Sequence, residues 1–118
     1  MNKLNIAILD SGANVNHPLF KNDKLDIINY SKNNLIHGHG TAIYSIIRKV
    51  NGFSKIVNFQ ITNNDGTIDE NILIDCLNMI YQNYNFDLIN LSLGINLFER
   101  LDELEEICEK LYKKAQLL

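Results

Sequence analysis

The residues with chemical reach in this 118-residue chain are an imidazole and a carboxylate, each set beside glycine. The imidazole lies in Leu35-Ile36-His37-Gly38-His39-Gly40-Thr41-Ala42, which runs straight into Ile43-Tyr44-Ser45-Ile46-Ile47. Glycines on both sides of His39 let the backbone turn tightly and let another segment approach closely, because neither carries a Cβ. The threonine and the amphipathic run that follow place His39 at the start of a helix, a position suited to general base and acid work. The carboxylate closes Ile6-Ala7-Ile8-Leu9-Asp10-Ser11-Gly12, a short apolar strand ending on Asp10. Each string alone also has a plainer reading. A loop histidine is often just a satisfied polar group, and Asp-Ser-Gly also serves as a helix cap or turn.

The elements that must position these groups follow from apolar patterning. Leu4 to Leu9 is a nearly continuous apolar run, as expected of a central parallel strand covered on both faces. Asp10 then stands at its carboxyl end, where open α/β sheets place their ligand crevice. Leu25 to Tyr30 reads as a second strand. From Thr41, Ile43, Ile46, Ile47 and Val50 have helical spacing, and Asn51-Gly52 ends that helix. Lys55 to Ile61 is a third strand, followed by the turn Asn63-Asn64-Asp65-Gly66-Thr67. A helix opening on Asp69-Glu70 buries Leu73, Leu77, Ile80 and Tyr84, flanked by Ile72, Cys76 and Met79. Asp87 to Leu93 is the fourth strand, and Phe98 to Leu118 a last helix with Leu101, Leu104, Cys108, Leu111 and Ala115 on one face. Both cysteines are read as buried thiols without disulfide or metal roles.

Three of these strings, in this order, resemble the subtilisin-like serine peptidases: Ile8-Leu9-Asp10-Ser11-Gly12, His39-Gly40-Thr41 and Ser92-Leu93-Gly94. The resemblance is colinear from Ile6 to Gly94 and includes a His17-Pro18-Leu19 turn, to which no chemistry is assigned. It implies a partial three-layer α/β fold, with a mostly parallel sheet of about four to five strands and helices on both faces. It also implies that Asp10 orients His39, that His39 is the general base, and that Ser92, Leu93 and Gly94 line the substrate cleft beside an extended peptide. Gly66 would contribute to a second wall of that cleft, although a plain turn glycine accounts for it equally well. Departures are visible too. Tyr44-Ser45 stands where the family favours a small Ala-Gly pair, which predicts looser or shifted packing of the helix on the sheet. The family's oxyanion asparagine and its Gly-Thr-Ser nucleophile segment have no counterpart here. Residues 1–118 therefore read as a truncated domain carrying two of three triad members, and the isolated chain is expected not to hydrolyse peptides.

Composition narrows the alternatives. Hydrophobic residues make up 46% and charged residues 21%, an ordinary globular balance. A net charge of −3 gives no basic footprint for nucleic acid or an anionic membrane, and no apolar run is long enough to span a bilayer. His37 and His39 lack a third ligand, and the alternating oxygen pattern of a calcium loop is missing around Asp65, so neither a metal nor a cofactor is expected. Without a basic-then-apolar leader ahead of the first strand, the expected setting is the cytoplasm. The expected partners are an extended peptide or protein substrate and a complementary chain bearing the serine. The alternative is a catalytically dead module for peptide binding or interaction.

Overall fold

A computed structural model describes residues 3–14, 16, 26–31, 38–50, 52, 54–63, 65–91 and 99–116 of the chain. Among them the elements run β1 (Asn5–Asp10), β2 (Asp26–Asn29), α1 (Gly38–Val50), β3 (Lys55–Gln60), α2 (Glu70–Asn83), β4 (Leu88–Asn90) and α3 (Leu101–Gln116). The four strands form one all-parallel sheet in the order β2-β3-β1-β4. β1 is central, pairing with β3 from Asn5↔Lys55 to Asp10↔Gln60 and with β4 from Ile6↔Leu88 to Ile8↔Asn90. Asp10 therefore ends the innermost strand at its carboxyl edge.

The continuous apolar run of β1 is split by the pleat into two cores. Ile6 and Ile8 join Ala13, Tyr44 and Ile56 under α1, whereas Ala7 and Leu9 join Val57, Phe59, Leu73, Leu77, Ile80 and Ile107 under α2 and α3. Helices thus cover both faces, as an all-parallel sheet requires. Tyr44 does not loosen the α1 packing. It is fully buried, and Arg48 lies over its ring while donating Nε to its hydroxyl at 3.3 Å. The same guanidinium donates to the carbonyls of Gly52 and Ser54, tying the end of α1 to the approach of β3.

Several expected boundaries and faces shift. α1 begins at Gly38, which sets His39 in its first turn, but its inward stripe is Gly40, Ile43, Tyr44 and Ile47, leaving Ile46 and Val50 exposed. Spacing alone did not register Gly40 and Tyr44 as the innermost positions, because one lacks a side chain and the other carries a hydroxyl. On α3, Ile107 is the buried residue, with Leu104 and Leu111 beside it, while Leu101 and Cys108 are exposed. Cys108 is thus corrected from a buried to an exposed thiol, whereas Cys76 is buried, and burial pushes its thiol up to about 12.

α2 and α3 are joined by polar clamps at both ends. Asp69 caps α2 by accepting the Asn71 N–H, and Glu70 accepts the backbone N–H groups of Glu99 and Arg100 ahead of α3. Arg100 reaches back to Asn71 and pairs with Glu103, a hydrogen bond that lowers the Glu103 carboxyl and raises the guanidinium. At the other end Lys114 donates Nζ to the carbonyls of Tyr81 and Tyr84, satisfying acceptors that the end of α2 leaves open. Between β4 and these helices lies an apolar cavity of about 330 Å³, lined by Phe86, Leu88, Leu91, Leu111 and Tyr112 among others. Among the described residues no helix is long and apolar enough to cross a membrane.

Candidate functional site

Asp10 reaches the edge of the sheet fully held. Its carbonyl accepts the Ile61 N–H at 2.9 Å, and its carboxylate Oδ1 accepts the Ser11 N–H at 2.7 Å. The side chain is 2% exposed, so its remaining acceptor capacity needs a partner within the protein. His39 supplies it. Nδ1 lies 2.9 Å from Oδ1 and 2.7 Å from Oδ2, and the histidine side chain is 56% exposed. A carboxylate only accepts, so Nδ1 carries the proton and the neutral ring keeps its lone pair on Nε2. The arrangement therefore buries the acid, orients the ring, and leaves the imidazole accessible.

Further contacts fix the geometry. Gly40 donates its N–H to the Ser11 Oγ at 2.9 Å, so a residue after the acid meets a residue after the imidazole. A Cβ on Gly40 would lie 2.1 Å from the Gly12 carbonyl oxygen, a backbone clash no rotamer relieves. Gly12 itself has φ of 79°, in the left-handed region, and a Cβ there would meet Gln60 Oε1 at 2.8 Å. One residue further out, Asn14 donates its N–H to Thr41 Oγ1 at 2.9 Å.

Asp10 and His39 are thus brought together, 29 residues apart in sequence. Gly66 lies past the carboxyl end of β3, on the same edge of the sheet. It is exposed, has φ of 84°, and donates to the Asn63 carbonyl within a turn that Asp65 braces by accepting both the N–H and the hydroxyl of Thr67. That geometry accounts for Gly66 as a turn glycine. Ser92, Leu93 and Gly94 lie outside the described residues, as do His17 and His37. Among the described residues no cluster of three or more His, Cys, Asp or Glu side chains is placed to hold a metal. Ser11, Thr41 and Gln60 were missed as members of the site. The Asp-Ser-Gly and Gly-Thr strings contain two of them, but nothing in a single sequence shows that their hydroxyls bridge from one string to the other.

No family model matches the chain, and no curated protein matches it. Solved structures do. A cold-adapted subtilisin-like serine proteinase superposes with a TM-score of 0.73 at 20% identity, over 93% of this chain and 42% of its own length. A lanthipeptide protease superposes with a TM-score of 0.64 at 19% identity, over 96% of this chain and 35% of its own. The chain therefore spans less than half the length of either protease. Together with the all-parallel sheet and its helices on both faces, these superpositions identify the fold as a partial subtilisin-like α/β domain.

Proposed function

We propose that this chain is the acid–base half of a serine peptidase site, hydrolysing peptide bonds only when a second polypeptide adds the nucleophilic serine. In this reading Asp10 holds the tautomer of His39 and stabilises the imidazolium, while Nε2 takes the serine proton and later delivers it to the leaving amine. The observation that carries it is the paired geometry: a buried carboxylate within 2.7 Å of an imidazole nitrogen whose side chain is 56% exposed. Ser11 does not fill the nucleophile's place, because its buried Oγ already accepts the Gly40 N–H. Ser92, Leu93 and Gly94 are assigned to the peptide-binding edge and Gly66 to the opposite wall of the cleft, with an extended peptide or protein as substrate. Among the described residues β4 ends the sheet, and that edge, beside its apolar cavity, is assigned to the complementary chain. The same reading sets the chain in the cytoplasm, where free thiols such as Cys76 and Cys108 persist.

The test is recovery of the tagged chain from its native host, followed by a fluorophosphonate probe that labels activated serines. A labelled co-purifying protein is expected, with labelling lost in His39→Ala. No labelled partner, or labelling indifferent to His39, overturns the proposal.

A further inference from the structure

The geometry points to Ser11 as a positioning residue for His39, acting through the first turn of α1 rather than on any reacting atom. The inference rests on the reading of Asp10 and His39 as an acid–base pair. Two links of identical span join the two strings: Asp10 to His39 through carboxylate and imidazole, and Ser11 to Gly40 through hydroxyl and N–H. Each connects residues 29 positions apart, and the linked residues are chain neighbours on both sides. The carboxylate link alone ends on a flexible side chain that is more than half exposed, so it fixes the ring only where the backbone beneath His39 is already fixed.

Ser11 supplies that second point. It is 2% exposed, and its Oγ accepts the N–H of the third residue of α1, the bond a helix ordinarily receives from the side chain preceding it. Here the cap comes from the carboxyl end of β1 instead. The same Ser11 donates its own N–H to Asp10 Oδ1, so one residue orients the acid with its backbone and seats the histidine's helix with its side chain. Gly40 presses on the Gly12 carbonyl with no room for a Cβ, which leaves the turn one seat against β1 once the hydroxyl bond is made. A hydroxyl is required, and threonine supplies one equally well.

The experiment uses the whole chain with labelled histidine, reading the proton on His39 Nδ1 by its low-field resonance and its exchange with water. His39→Gln assigns the signal. Ser11→Ala is expected to lose the resonance or to exchange at least about tenfold faster, the scale of one lost net hydrogen bond. Ser11→Thr is expected to restore the wild-type signal even where its melting temperature differs. An unchanged signal in Ser11→Ala, or one that Ser11→Thr fails to restore, overturns the assignment. If Ser11→Ala does not fold, Ser11→Cys takes its place, since a thiol is a weak acceptor of nearly the same shape and the same loss is expected. Failure of the peptidase reading shows separately, as absence of fluorophosphonate labelling in the wild-type recovery while the Ser11 effect persists.

Discussion

The two ends of this sheet differ in how completely they are built. At the carboxyl edge of β1, a buried acid, an imidazole, a hydroxyl and two glycine backbones meet within hydrogen-bond or contact distance, and backbone conformation is constrained at Gly12 and Gly40. On the flank of β4 the strand is only three residues long, Leu88 and Tyr112 are exposed, and an apolar cavity lies between strand and helix. Tight backbone constraint is thus concentrated at the carboxyl edge, and the flank carries exposed apolar side chains instead. Among the described residues β4 has one side without a neighbouring strand, and such an edge beside an apolar wall invites association.

Substitutions in each region are expected to separate the two. The largest effect belongs to Phe59, whose ring meets Tyr84 and Phe86 edge-on and so supports the wall of the open flank from the core. Phe59→Ala is expected to cost about 3–5 kcal/mol in urea unfolding. Gly40→Ala follows at about 3 kcal/mol, because its methyl group meets backbone oxygen rather than a yielding side chain. A loss under about 1 kcal/mol would mean that the site end is as adaptable as the flank, and the contrast would fail. Lys114→Met removes the cation that caps α2 and is expected to cost about 1 kcal/mol. Leu88→Ser on the exposed edge is expected to change stability by no more than about 0.5 kcal/mol while shifting sedimentation from oligomer toward monomer. Equal oligomer content in both chains would show that the flank does not drive association.

The pH response sharpens the comparison without touching the site. Burial raises the Cys76 thiol from 9.0 to about 12 in the folded chain, so the unfolded chain releases that proton first. The resulting stability is fully present below the unfolded value and is lost as the solution is raised toward the folded one. Wild-type melting is therefore expected to fall between pH 9 and 12 more steeply than that of Cys76→Ala. Parallel pH curves for the two would contradict it. At neutral pH a thiol reagent is expected to modify Cys108 well before Cys76, because one is exposed and the other buried.

The sequence made the architecture legible wherever burial acts through a regular period. The run from Leu4 to Leu9 announced a strand covered on both faces, and the alternation of Ile6 and Ile8 against Ala7 and Leu9 divides it between two cores. Asp10 and His39 were legible as a pair only because their local strings resemble known ones; the physical reason for their meeting is the pairing of β1 with β3 and the seating of α1 on that sheet. Ile107 and Cys108 show the limit. On α3 the apolar residues wind around more than one face, and which of them turns inward depends on where α2 lies, a long-range fact that spacing does not encode. Ser11 and Thr41 were hidden for the same reason, since a hydroxyl's acceptor role is set by a backbone N–H from another element.

The short separation between the two bridged strings bears on the order of synthesis. Every residue of the Asp10–Ser11–His39–Gly40 cluster precedes β3, and β1 acquires β3 as its neighbour about fifty residues after it is made. At ribosomal speeds that is an interval of about 3–10 seconds. Closing so short a loop costs little chain entropy compared with recruiting a distant partner. A segment or chain that packs on the sheet after β3 has paired therefore meets an imidazole already in register with its acid.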